Sequence, residues 1–197
     1  MPATLTRLCV FCGSSPGARP EYRQAAAALG AALARRGLGL VYGGARVGLM
    51  GAVADAALET GGRVTGVIPR ALVGKEVAHP GLSELRVVGS MHERKQLMAE
   101  LADGFVALPG GMGTLEEFTE ILTWAQLGLH RKPCGLLNVR GYFASYLAML
   151  DHAVAERFVS PAHRAMLLVA DDAESLLERF ASYRAPAVEK WLDRESA

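Results

Sequence analysis

A chain of 197 residues, 51% of them hydrophobic, is long enough for one domain with a sizeable core that needs no disulfide or metal staple. Its net charge of +1 supplies no basic face for DNA or RNA, but leaves room for a local basic pocket around one small anion. The opening residues MPATLTRLCVFCGSS lack the pattern of a secretory signal, and no stretch approaches the roughly 18 apolar residues that span a bilayer, so a soluble cytoplasmic protein is expected.

In chain order, residues 7–12 form a short apolar strand ending in Gly13-Ser14-Ser15, and 16–20 a loop. Residues 22–36 are rich in Ala and Leu and are predicted helical, closed by Gly37 just past the helix end. A second strand at 38–42 runs into Gly43-Gly44, and a second helix at 49–59 is closed by Gly61-Gly62. A third strand at 64–68 is stopped by Pro69. Residues 70–84 make a long irregular link, a kind of segment that often carries function. A strand at 85–88, a helix at 91–102, a strand at 104–108 and a helix at 115–127 follow. A strand at 135–139, a helix at 142–156, a strand at 166–169 and a helix at 174–183 complete the body. The single domain is taken as 1–185, and 186–197 as a C-terminal tail whose Trp191 packs on the body or on a partner.

Strands alternating with helices predict an α/β, Rossmann-like fold, a parallel sheet flanked by helices on both faces. The three cysteines fit that fold. An odd count argues against a disulfide framework. Cys9-x-x-Cys12 has the spacing of a redox pair or a zinc half-site, but it lies within the apolar run LCVFC, where residues three apart point to opposite faces of a strand. The core-strand reading is therefore preferred.

Ligands of such sheets sit at the carboxyl ends of the strands. That rule selects four segments: GSS after the first strand, GGARVG after the second, GSMHERK after the fourth and PGGMGTLEE after the fifth. The dinucleotide fingerprint is missing after the first strand. Gly43 to Gly48 has the glycine spacing of a P-loop, but Leu49-Met50 replace the lysine and hydroxyl that a triphosphate site needs; close packing of strand, turn and helix is the competing use.

PGGMGT follows a strand and opens a helix, so its backbone N–H groups and the helix dipole suit a monophosphate. Thr114 is placed to be an N-cap, a phosphate donor, or both. Thr114-x-x-Glu117 has the spacing of a capping box, which would make Glu117 structural; Ser90-x-x-Glu93 has the same spacing, and Glu116 is expected to face solvent or the helix dipole. Arg94 and Lys95 fall near the start of a helix, where cations oppose the dipole, so they are either a solvated pair or the partners of an anionic ligand.

SMHERK at 90–95 together with PGGMGTLEE at 109–117 resembles the LOG family, the cytokinin riboside 5′-monophosphate phosphoribohydrolases, many of which carry the older label "lysine decarboxylase-like". VFCGSS, VYGGARVGLMG, VTGVIP and the helix with Thr123 and Trp124 extend the resemblance over most of the chain. It implies hydrolysis of the N-glycosidic bond of a nucleoside 5′-monophosphate in cytokinin biosynthesis, without metal or organic cofactor, by a homodimer with sites near the subunit interface. It further implies that Arg94 and Glu117 are the catalytic pair and that Glu76, Lys95, Gly111, Met112, Gly113, Thr114 and Thr123 bind substrate. Ala45 stands where many relatives have a third glycine.

The chemistry agrees. N-glycoside cleavage passes through an oxocarbenium-like sugar that a carboxylate stabilises, and the same carboxylate can activate water. Arg94 is permanently charged and suits orientation and anion binding better than proton donation. Pyridoxal chemistry is disfavoured: of the lysines Lys75, Lys95, Lys132 and Lys190, only Lys95 falls in a plausible site. Two rival readings remain, a general AMP-type nucleosidase and a non-catalytic nucleotide or molybdenum-cofactor carrier; a dehydrogenase is more distant. An N6 substituent would need an apolar pocket from residues such as Met50, Met91, Met98 or Trp124, although core packing is the commoner use of each.

Overall fold

The computed structural model describes residues 5–74 and 78–186; Glu76, Trp191 and nearly all of the tail lie outside them. The elements are β1 (Arg7–Phe11), α1 (Pro20–Arg35), β2 (Gly39–Tyr42), α2 (Gly48–Glu59), β3 (Val64–Pro69), β4 (Glu84–Val88), α3 (Met91–Leu101) and β5 (Gly104–Ala107). They continue with α4 (Met112–Gln126), β6 (Cys134–Leu137), α5 (Ala144–Ala155), α6 (Pro161–Arg164), β7 (Leu167–Ala170) and α7 (Ala173–Ser182). Single 3₁₀ turns occupy Arg70–Leu72 and Val139–Gly141.

Two elements differ most from the expectation. α4 begins three residues earlier, because its cap is Gly111 rather than Thr114. The four-residue α6 was not anticipated; Pro161 starts it, and the Ser160 hydroxyl accepts from the His163 N–H.

All seven strands are parallel, in the order β4-β3-β2-β1-β5-β6-β7. Each face of the sheet has its own core. Leu8, Val10 and Cys12 point to one, with Leu29 and Leu33 of α1, Val53 of α2 and Phe180 of α7. Cys9 and Phe11 point to the other, with Met98 of α3 and Phe118 and Ile121 of α4. Alternation along β1 therefore sends the two cysteines to opposite layers, as their spacing required. All three cysteines are free and buried, and burial pushes each thiol above its ordinary range.

The chain leaves β1 toward β2 on one side and returns beside β1 as β5 on the other. Connections diverge at that point, opening a crevice at the carboxyl ends of β1 and β5. On the layer opposite α3 and α4, α1 and α2 cross closely at Gly30, where an added Cβ would stand 2.2 Å from the Val53 carbonyl oxygen. Gly30→Ala is expected to lower stability by about 1–3 kcal/mol by forcing these helices apart, read as a lower urea midpoint.

Candidate active site

Backbone hydrogen bonds tie the walls of the crevice together. The Gly13 N–H donates to the Pro109 carbonyl at 3.0 Å, joining the exits of β1 and β5, and the Leu49 N–H donates to the Gly13 carbonyl at 3.0 Å, joining the start of α2. Gly48 has φ 58°, and a Cβ there would fall 2.4 Å from the Ser14 carbonyl. Gly48 of the second glycine loop thus serves close packing, whereas Gly43 of the same loop borders the cavity.

The cavity that results is about 330 Å³. Its polar wall is Arg94 from α3 with Gly111, Gly113, Thr114 and Glu117 from the start of α4; its apolar wall includes Leu72, Met50, Met91 and Met98.

Arg94 is 6% exposed, and its Nη2 lies 3.9 Å from Glu117 Oε1. A buried guanidinium needs compensating charge and hydrogen bonds. It also needs room, which Gly43 provides: a Cβ there would stand 2.1 Å from Arg94 Nη2. On the far side Arg94 Nη1 donates to the Met91 sulfur at 3.8 Å.

The capping question divides between the two helices. On α3 the Ser90 Oγ accepts from the Glu93 N–H at 3.1 Å while Glu93 Oε2 accepts from the Gly89 N–H at 2.7 Å, so that spacing is structural. On α4 the capping reading is overturned. The N-cap is Gly111, Thr114 is the third helical residue, and Glu117 sits in the second turn facing Arg94. No side chain caps α4, so its first N–H groups are left to solvent or a ligand. Thr114 is 4% exposed and lines the cavity.

Lys95 turns the other way. Its ammonium bridges Glu116 at 2.5 Å and Glu120 at 3.0 Å on the outer side of α4, and it does not line the cavity. Glu116 is accordingly an ion-pair partner rather than a purely solvated carboxylate. Thr123 lies farther along α4 with its hydroxyl donating to the Thr119 carbonyl at 2.8 Å, also off the cavity lining. Met112 is 82% exposed at the rim. Met50, Met91 and Met98 do line the cavity, whereas Trp124 packs against the core of the α3–α4 layer. Ser14, Gly43 and Leu72 were not foreseen as site residues; only the position of their loops after strands hinted at them.

The residues from 50 to 180 match the family model described as "Possible lysine decarboxylase". The chain is 54% identical to a cytokinin riboside 5′-monophosphate phosphoribohydrolase of Rhodococcoides fascians, over 90% of this chain and 88% of the relative. The chain belongs to the LOG family. It is also 56% identical to a probable cytokinin riboside 5′-monophosphate phosphoribohydrolase of Oryza sativa subsp. japonica, over 90% of this chain and 78% of the relative. Among solved structures, the molybdenum cofactor binding protein of Rippkaea orientalis superposes with a TM-score of 0.68 at 23% identity, covering 91% of this chain and 97% of that one, a likeness of fold alone.

The described residues offer no fit to the decarboxylase description. A pyridoxal group needs a Schiff-base lysine, and no described lysine lines the cavity. Lys95 is engaged by two carboxylates, and Lys132 donates to the Ala99 carbonyl at 2.8 Å. Among the described residues no helix is long and apolar enough to cross a membrane.

Partial burial pulls the Lys95 pKa down, but hydrogen bonds to Glu116 and Glu120 outweigh it and raise the group above its ordinary 10.5. A raised folded-state pKa stabilises fully below the unfolded value and loses that stabilisation as pH climbs through the folded one. The stability advantage of the native chain over Lys95→Met should therefore be constant up to about pH 10 and shrink above 10.5, read from urea midpoints at pH 8 and 11.

Proposed function

We propose that this chain hydrolyses the N-glycosidic bond of N6-modified adenosine 5′-monophosphates, releasing a free cytokinin base and ribose 5-phosphate. The observation that carries this reading is one cavity holding both a buried Arg94–Glu117 pair and the uncapped start of α4. Relatives about half identical over most of the chain support it.

In this reading the phosphate sits on the N–H groups from Gly111 to Thr114 and on the Thr114 hydroxyl, where the helix dipole favours an anion. That anchors the ribose against Glu117. As the C1′–N9 bond breaks, its electron pair leaves with the base and positive charge grows on the sugar. Glu117 stabilises that charge, then accepts a proton from the water whose oxygen bonds to C1′, and the proton is passed on to the departed base, so that one water is divided between sugar and base and Glu117 is regenerated. Arg94 holds Glu117 in place and meets the polar groups of the substrate. The wall of Leu72, Met50, Met91 and Met98 takes the base and its N6 substituent. Lys95 contributes by fixing α4 through Glu116 and Glu120. Glu76 and Thr123 enter as substrate-binding positions on the resemblance alone.

We also place the chain in the cytoplasm, in keeping with three free cysteines, and as a homodimer. Support for the dimer comes from α5, which buries none of its own residues, and from Leu129, Met149 and Phe158, which are 69%, 70% and 88% exposed.

The test is base release from N6-isopentenyladenosine 5′-monophosphate, AMP and the two unphosphorylated ribosides, followed by chromatography. Release from the monophosphates is expected, with Glu117→Gln lowering kcat at least about a hundredfold. A preference for AMP would move the reading to a general nucleosidase. Binding without turnover of any substrate would favour the carrier, which has no use for the Arg94–Glu117 pair.

A further inference from the structure

We propose that Tyr142 is a positioning residue that sets the orientation of the Gly110–Gly111 peptide and thereby aims the Gly111 N–H at the substrate phosphate. The inference rests on the phosphate placement just given. It starts from a second cavity of about 300 Å³ on the other side of the glycine loop. The two cavities share Gly13, Ser14 and Gly111; Arg94 and Glu117 line only the first, and Tyr142 lines only the second. From there the Tyr142 hydroxyl donates to the Gly110 carbonyl at 2.5 Å.

The Gly110 carbonyl and the Gly111 N–H belong to one peptide unit, and the described residues contain no cis peptide. In a trans peptide the C=O and N–H point in opposite directions. Drawing the carbonyl toward Tyr142 therefore turns the N–H away from the second cavity and toward the first. This restraint answers a specific weakness. Gly110 has to be glycine, since a Cβ would stand 2.1 Å from Thr114 Oγ1 and 2.8 Å from the Gly13 nitrogen. With glycine on both sides, the peptide has no side chain to resist rotation. The tyrosine hydroxyl supplies the resistance.

Tyr142 is itself held firmly. Its ring meets Tyr22 edge-on at 5.6 Å and Phe143 at 5.1 Å. Its N–H donates to the Val139 carbonyl at 3.0 Å, and the Phe143 N–H donates to Asn138 Oδ1 at 2.8 Å. The preceding turn puts Arg140 at φ 53° and Gly141 at φ 73°, an unfavourable backbone for arginine, with Arg140 Nε 3.7 Å from Glu21. A non-glycine residue in the left-handed region, placed where it delivers one hydroxyl to the phosphate loop, fits a functional constraint.

Tyr142→Phe tests this, because it keeps the ring contacts and removes only the hydroxyl. Ribose 5-phosphate and adenosine are titrated separately into native chain and variant by calorimetry, and KM and kcat are measured on the monophosphate. Affinity for ribose 5-phosphate is expected to fall about tenfold and KM to rise by a similar factor, while adenosine affinity stays unchanged. Equal weakening of both ligands, or no change in either, overturns the proposal, as does failure of the native chain to bind ribose 5-phosphate. Absence of base release by the native chain would instead sink the hydrolase reading, and the titrations would still decide the role of Tyr142.

Discussion

A guanidinium that cannot lose its proton, held 94% out of water, constrains everything around it. Arg94 would cost several kcal/mol to bury alone. The fold meets this with a carboxylate from the next helix, a glycine that clears space and a thioether on the other flank. Each comes from a different strand exit. The crevice at the sheet's switch point brings those exits together, so the topology is the precondition of the charge pair.

The register between α3 and α4 follows from the same arrangement. Arg94 and Lys95 are neighbours in sequence and stand about 100° apart around their helix. Glu116 and Glu117 are related in the same way. The two helices therefore meet through two parallel pairings, Arg94 with Glu117 inward and Lys95 with Glu116 outward. The inner pair faces the cavity and the outer pair braces it. A motif that runs E-R-K in one helix and L-E-E in the other thus divides its charges between the cavity and the outer face of the helix pair.

Much of this was legible beforehand. The strands could be read to within two residues at either end, because buried parallel strands are short apolar runs and glycines or prolines end most of them. The opposite facing of Cys9 and Cys12 followed from strand periodicity. Other features were hidden for physical reasons. The start of α4 was misplaced because Thr114 resembles a cap, whereas the residue that serves, Gly111, has no side chain to advertise it. The four residues of α6 are too few to show a period. That Arg94 and not Lys95 enters the cavity depends on how α3 is rotated against α4, which periodicity does not reveal. Tyr142 was read only as the edge of a helix, since its hydrogen bond spans 32 residues.

The three cysteines have a practical consequence. Cys9 on β1 and Cys134 on β6 are sealed within the core, while Cys12, in the turn after β1, is buried but lines the cavity; burial pushes each thiol toward the unreactive form. Cys9 and Cys134 are therefore poor targets for alkylating reagents, and Cys12 is the native thiol that borders the cavity. With Cys12 alone replaced, a single cysteine introduced at an exposed position would be labelled ahead of the two core thiols, so a fluorophore or spin label could report on the rim of the site in a nearly unaltered protein.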